Sequence, residues 1–316
     1  MNNLILGKSE EKLKDVEHNS VHAVITDPPY GISFMSNKWD YDVPSIKIWK
    51  ECYRVLKPGG HLLSFSSPRT YHRLACNVED AGFEIRDQIM WLYGTGFPKN
   101  LDIGKGVDKL QGNKRESLGY YDPRSNQDNS NRKVRSIGKQ QVASYNSSLV
   151  EKTKGFTKWE GWGTALKPAH EPILVARKPI SEKTIVENVL LHETGAINID
   201  KSRVDNGRYP TNFIHDGSTE DNNIKNFFYC AKPSVNEKGV NNTHPTVKPL
   251  LLMKYLINLV CQKNQIILDP FLGSGTTGLA ANELGIDFIG IESNQEYFNI
   301  AKKRLEKIVY QKNLFI

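Results

Sequence analysis

Leu268-Asp269-Pro270-Phe271-Leu272-Gly273-Ser274-Gly275-Thr276-Thr277 is the stretch on which the fold turns. The run Gln265 to Leu268 before it reads as a strand, and Ser274 to Leu284 after it as a helix. Glycines at a strand-to-helix turn let a ligand approach the backbone, and the helix start offers unpaired N–H groups to an anion. The next apolar run, Asp287 to Ile291, ends on Glu292, about 20 residues past the glycines, where a carboxylate can accept both hydroxyls of a ribose. Together they predict a nucleoside cofactor on a doubly wound sheet.

Working outward, a helix over 249–262 precedes this block and a helix over 295–308 follows it. At the other end of the chain, Val21 to Thr26 is an apolar run stopped by Asp27-Pro28-Pro29-Tyr30-Gly31. Val43, Ile46, Trp49, Tyr53 and Leu56 recur at helical spacing up to Lys57-Pro58-Gly59-Gly60. A strand over 61–66, a helix over 68–82 and a strand over 84–93 then follow, and this alternation is the pattern of a parallel sheet with helical crossovers. From Gly94 to about Ala165 the pattern stops in a region rich in Gly, Asn, Ser, Lys and Arg, which reads as an insertion. A strand over 172–177 and a helix over 182–191 interrupt it, and Asp200 to Asn242 reads as irregular. His170-Glu171 reads as a structural pair at a strand entry beside Pro172, and Trp159 and Trp162 read as packing within the insertion.

The tetrapeptide Asp27 to Tyr30 sits where open α/β sheets place ligands, at the end of a strand. An exocyclic base amine is a poor nucleophile because its lone pair is delocalised into the ring. Two acceptors on its N–H groups restore lone-pair character, and Asp27 and the Pro28 carbonyl can supply them. Prolines 28 and 29 fix φ and remove backbone donors, while Tyr30 offers a face on which a base can stack.

A chain of 316 residues can bury a full α/β core, and the low apolar fraction of 38% and mean hydropathy of −0.50 fit a core carrying a polar extra region. No apolar run approaches a membrane span, and Met1-Asn2-Asn3 does not begin a signal peptide, so a cytoplasmic protein without membrane contact is expected. Cys52, Cys76, Cys230 and Cys261 lack metal-ligand spacing and read as reduced thiols. Nearly all of the net charge of +7 arises between residues 94 and 165, where 13 Lys and Arg face 7 Asp and Glu. That excess favours DNA, with Lys114, Arg115, Arg132, Lys133 and Arg135 as candidate phosphate contacts.

Asp27-Pro28-Pro29-Tyr30-Gly31 together with Asp269-Pro270-Phe271-x-Gly273-Ser274-Gly275 resembles the DNA amino-methyltransferases, the N-4/N-6 DNA methylase family, and the order of the two motifs is that of its β group. His244-Pro245-Thr246-x-Lys248-Pro249 is a third match. The resemblance implies an α/β, doubly wound, mostly parallel sheet of seven strands with the last antiparallel, the Rossmann-like class I methyltransferase fold. By that likeness residues 1–93 form the catalytic half of the core. Residues 94–242 form a target-recognition insertion, with core elements at about 171–191, and 243–316 the cofactor-binding half. It implies S-adenosylmethionine as cofactor, S-adenosylhomocysteine as product and no metal. Asp27, Pro28, Pro29 and Tyr30 would hold a flipped base. Asp269, Phe271, Gly273, Ser274, Gly275 and Thr276, with Thr246 and Lys248, would hold the methionine end of the cofactor, and Glu292 its ribose. Where many relatives carry Gly-Asp before the first helix, this chain has Gly7-Lys8.

The expected reaction is site-specific methylation of adenine in double-stranded DNA by base flipping and direct in-line transfer, because relatives acting on cytosine N4 more often begin the tetrapeptide with serine. Cytosine N4 methylation and a non-catalytic DNA-binding protein of the same fold are the alternatives. A homodimer, a cognate restriction endonuclease and a bacterial or phage origin are also compatible with the family.

Overall fold

A computed structural model describes residues 2–33, 38–94, 96, 100–121, 149–204, 207–217, 227–239 and 242–313. In chain order the first half of the core is β1 (Asn2–Leu6), α1 (Ser9–Lys12), β2 (Val21–Thr26), α2 (Ile46–Val55), β3 (Leu56–Phe65), α3 (Tyr71–Asp80) and β4 (Glu84–Leu92). A separate compact unit, Gly96–Pro168, holds α4 (Ile103–Gln111), β5 (Glu116–Tyr121) and β6 (Val150–Lys154). The core resumes with β7 (His170–Arg177), α5 (Ile185–His192), β8 (Phe213–His215), β9 (Phe228–Tyr229), α6 (Val235–Lys238) and α7 (Leu250–Val260). It closes with β10 (Ile266–Asp269), α8 (Thr276–Leu284), β11 (Asp287–Glu292) and α9 (Gln295–Asn313).

The core is one doubly wound sheet in the order β1-β11-β10-β2-β3-β7-β4-β8-β9. β7 runs antiparallel to both neighbours, β3 and β4, and the other pairings are parallel. The seven expected strands run from β1 to β4 in this order, with the reversed strand second from their edge. Two short strands, β8 and β9, extend the sheet from the stretch that reads as irregular. Their few apolar residues are carried by side-chain anchors, such as the Trp91 indole N–H donating to the Cys230 carbonyl at 2.9 Å.

β2 lies at the centre of the sheet and is buried throughout, which is why its sequence is mostly apolar without alternation, with His22 and Thr26 buried among the apolar residues. Ala23 and Ile25 pack on one face with Leu63, Phe65, Ile173 and Val175, under α7 and α8. Val24 packs on the other with Leu62, Leu174, Trp49 of α2 and Leu74 of α3. β3 starts earlier than expected, at Leu56, and takes in Lys57-Pro58-Gly59-Gly60. Val21 pairs with Leu56 and Ala23 with His61, so the extra residues bulge between them and α2 passes directly into the strand.

The chain winds from β2 to β3 in one direction and from β10 to β11 in the other, so the order reverses between β2 and β10. The crevice beyond the carboxyl ends of these two strands is where such sheets bind ligands. Asp27 and Asp269 stand at those two ends.

In the inserted unit, Asp102 caps α4 by accepting from the Lys105 N–H at 3.0 Å, and Gly112 ends it in the left-handed conformation. β5 and β6 pair antiparallel. The Arg115 guanidinium binds the buried Asp108 carboxylate and, at 2.8 Å, Glu160, so this small unit is organised around an ion cluster. Trp159 and Trp162 meet edge to face at 5.3 Å.

Candidate active site

The glycine turn is shaped from beneath by Asp269. Buried, it accepts from Thr26 Oγ1 at 2.6 Å, from the Phe271 N–H at 3.0 Å and from Thr277 Oγ1 at 2.6 Å. Burial raises its pKa to about 6, against the pull of these three donors. The Thr26 bond ties the strand that carries the tetrapeptide to the strand that carries the glycine loop. Asp269, expected on the cofactor, accepts from these three protein donors and so also organises the turn.

Gly273 has φ of +54° and Gly275, which caps α8, has φ of +86°. A Cβ on Gly273 would stand 2.9 Å from the His244 ring, and one on Gly275 would stand 3.0 Å from Ala301 Cβ, so both the conformation and the space require glycine. Glu292 is buried at the end of β11; Oε2 accepts from the Gly273 N–H at 2.8 Å and Oε1 from the Asn294 N–H at 2.7 Å. Burial pushes its carboxyl above the ordinary range. With the Ser293 N–H also donating to this carboxylate, it still keeps acceptor capacity for a hydroxyl. Ser274 and Thr276 face Arg304 of α9, whose Nη1 donates to the Ser274 carbonyl at 2.6 Å, to Ser274 Oγ at 3.0 Å and, longer, to Thr276 Oγ1 at 3.4 Å. His244 packs edge to face on Tyr297 at 4.4 Å, and its Nδ1 lies 2.5 Å from the Thr246 carbonyl, so the His244 to Thr246 turn borders the glycine loop. A glycine-walled turn with a strand-end carboxylate fits a nucleoside cofactor. Among the described residues no group of three or more His, Cys, Asp and Glu is arranged to hold a metal ion.

On the other side of the crevice the tetrapeptide is held in a sharp turn. Asp40 is buried and accepts from the Tyr30 N–H at 2.5 Å and the Gly31 N–H at 3.0 Å, while Thr70 Oγ1 donates to the Tyr30 carbonyl at 2.6 Å. Tyr30 Oη lies 2.8 Å from Asp27 Oδ1 and 3.1 Å from Glu171 Oε2. Burial, then the charges of Asp27 and Glu171, lift the Tyr30 phenol well above its ordinary pKa, so it stays a donor. The Lys248 ammonium stands 2.6 Å from Asp27 Oδ2, 3.2 Å from Glu171 Oε2 and 3.1 Å from Tyr30 Oη. Burial opposes its charge, but Asp27 and Glu171 outweigh burial and hold its pKa above the ordinary lysine value. Lys248, expected at the methionine end of the cofactor, is therefore drawn to the tetrapeptide by two carboxylates.

Glu171 is the functional-site residue that the sequence reading assigns to structure alone. It enters through β7, the reversed strand, opposite Trp91 of β4. It also receives the Tyr93 hydroxyl, and burial together with this carboxylate raises the Tyr93 phenol. Lys232, just past β9, stands 3.4 Å from the centre of the Tyr93 ring. Asp40, Thr26 and Thr70 are likewise missed; a buried aspartate ten residues past a turn carries no spacing signal.

Of the candidate DNA contacts, Lys114 is exposed, whereas Arg115 is engaged within its unit by Asp108, Glu160 and Thr153. Its guanidinium is thereby committed to local structure. Arg132, Lys133 and Arg135 lie outside the described residues.

A doubly wound sheet of this order, with a glycine loop, a strand-end glutamate and an acceptor tetrapeptide at its switch point, defines a class I methyltransferase of the amino type. The family model N6_N4_Mtase, described as DNA methylase, matches residues 21–303, and the chain belongs to that family. It is an S-adenosylmethionine-dependent DNA methyltransferase that modifies an exocyclic amino group. The type II methyltransferase M.HindIII of Haemophilus influenzae is 30% identical over 93% of this chain and 92% of its own length. M.HpaI of Haemophilus parainfluenzae is 26% identical over 96% of this chain and 74% of its own. Among solved structures, an M1.HpyAVI–SAM complex superposes with a TM-score of 0.53 at 22% identity over 96% of this chain and 99% of that one. PvuII DNA methyltransferase, titled cytosine-N4-specific, gives 0.55 at 16% over 96% and 86%. At these identities the two structures speak for the fold. Among the described residues, no helix is long and apolar enough to cross a membrane.

Proposed function

We propose that the protein methylates the N6 amino group of adenine at a specific sequence in double-stranded DNA, as a cytoplasmic modification enzyme. The observation that carries this reading is the aspartate at the head of the tetrapeptide, held at the switch point by its neighbours. A carboxylate there accepts an amine N–H more strongly than a serine hydroxyl would. The Pro28 carbonyl is the second acceptor, and the Tyr30 ring stacks on the base. A base inside a duplex cannot reach this crevice, so the target nucleotide leaves the stack, at about a few kcal/mol.

S-adenosylmethionine, when bound, supplies a sulfonium methyl group that the amine takes directly. Glu292 holds the ribose side, and Phe271, Gly273 to Thr276 and Thr246 surround the remainder. Asp27 acts first as an acceptor that localises the nitrogen lone pair. It takes the proton only after the amine has become acidic. With Lys248 and Tyr30 on its two oxygens, Asp27 is poorly suited to remove a proton beforehand. Preorganised acceptors of this kind are worth about 2.7–4 kcal/mol each in transition-state stabilisation. The Gly96–Pro168 unit, with its basic and aromatic residues, is proposed as the target-recognition region.

Mass spectrometry of nucleosides from DNA treated with the protein and S-adenosylmethionine tests the choice of base. N6-methyl-2′-deoxyadenosine is expected; N4-methyl-2′-deoxycytidine alone would overturn the adenine assignment, and an unmethylated product the catalytic one.

A further inference from the structure

Asp27 already has a partner on each oxygen before any base arrives. Tyr30 Oη lies 2.8 Å from Oδ1 and the Lys248 ammonium 2.6 Å from Oδ2. An amine that donates to Asp27 must displace or share one of these partners. The lysine is the one with somewhere to go, because Glu171 Oε2 is already 3.2 Å from its nitrogen, and of the other groups around it, the Phe65 ring at 4.8 Å, the Tyr30 ring at 5.3 Å, Lys232 and His244, none is an anion. Without Glu171, moving a buried ammonium off Asp27 would leave it without a counter-ion, which is strongly unfavourable.

We propose that Glu171 is a positioning residue for methyl transfer, the counter-ion that takes over the Lys248 ammonium when the target amine occupies Asp27. The proposal rests on the reading of Asp27 as the amine acceptor. Two features of the site require it. The amine nitrogen gains positive charge as its bond to the methyl forms, and a lone ammonium beside it would oppose that charge. Asp27 and Glu171 offset the ammoniums of Lys248 and the nearby Lys232, so the cluster as a whole does not oppose that charge. Glu171 also receives the hydroxyls of Tyr30 and Tyr93, fixing the aromatic ring on which the base is proposed to stack.

The test is Glu171→Gln, which keeps shape and an acceptor oxygen for both tyrosines while removing the charge. A purely structural glutamate predicts little change. The hand-off predicts kcat on DNA lowered by about tenfold to a hundredfold, with S-adenosylmethionine affinity within about threefold. It also predicts that the alkaline limb of the rate profile moves down by about one pH unit, because one of the two charges sustaining the Lys248 proton is gone. The groups facing Lys248 are Asp27 and Tyr30 from the turn after β2, Glu171 from β7, Lys232 from beyond β9 and His244 from the turn before α7. Lys232 also lies near Glu171, so the cycle with Lys248→Met assigns the effect: in that background Glu171→Gln should have no further effect on kcat. Thermal denaturation reports whether each variant folds, and Glu171→Asp, which keeps the charge, should retain the wild-type alkaline limb even if Glu171→Gln does not fold. Wild-type kcat and pH profile in Glu171→Gln, additivity with Lys248→Met, or a shifted limb in Glu171→Asp would overturn the proposal. A wild-type protein that methylates no DNA would instead overturn the reading of the site itself.

Discussion

Replacing Thr26 by valine removes one oxygen and should change both stability and its pH dependence. In the folded protein Thr26 Oγ1 donates to Asp269 Oδ1 at 2.6 Å, with both groups buried. A hydrogen bond to a buried charge is worth about 1.5–3 kcal/mol, and one to the neutral acid about 1 kcal/mol. Asp269 titrates near 6 in the fold, above its ordinary value of 3.8. A carboxyl raised on folding contributes stability that is fully present below the unfolded pKa and is lost as pH rises through the folded one. For the wild type this loss falls between about pH 4 and 6 and amounts to about 3 kcal/mol at 1.36 kcal/mol per unit. The difference between the two bond strengths, about 0.5–2 kcal/mol, should lift the Asp269 pKa in Thr26→Val by a further unit or so and extend the loss toward about pH 7. Urea unfolding of both proteins from pH 5 to 8.5 measures this: a deficit of about 1 kcal/mol at pH 5 should widen to about 1.5–3 kcal/mol at pH 8. A deficit that stays constant across the range would refute the claim that Thr26 stabilises the Asp269 charge.

Asp27→Ala should abolish methyl transfer while changing S-adenosylmethionine affinity less than about tenfold, measured by calorimetry beside a methylation assay; activity above about a tenth of wild type would remove the acceptor role. Glu292→Ala should weaken cofactor binding by about 1.5–3 kcal/mol for each hydrogen bond removed and spare DNA binding, and an unchanged titration would take Glu292 out of the site. Neutralising Lys114, Arg132, Lys133 and Arg135 should flatten the dependence of log affinity for DNA on log salt by about 0.9 for each phosphate that is no longer neutralised. An unchanged slope would make the basic excess a solvated face.

The strands that bear the site were legible in the sequence because they are largely buried: Val21 to Thr26 and Ile266 to Leu268 are predominantly apolar runs ended by Asp-Pro. The glycine turn was legible for a different reason, since two residues of positive φ in a row of small side chains leave few alternatives. β1, an edge strand of five residues beginning Asn-Asn, was not, because half of its signal is its pairing with β11. α4 did carry a signal, Asp102 at its start and Gly112 past its end, but the polar, glycine-containing run between them masks the helical period. Glu171 could not be placed: whether a carboxylate before a proline caps a turn or meets a lysine 77 positions later depends on which strand is reversed between which neighbours. A charge's role is set by its partners, and those are fixed by topology.

Linking residues 26 and 269, the bond beneath the glycine turn also sets a timetable. Synthesis runs from the N-terminus at about 5–20 residues per second, so β2 exists for about 12–50 s before β10 is made. During that interval one edge of β2, apolar on both faces, has no ladder partner, and the nascent chain presents the kind of edge that pairs with other chains. Whatever shelters that strand during synthesis governs the yield of folded protein, and the half of the crevice that carries the tetrapeptide stays open until the glycine loop arrives.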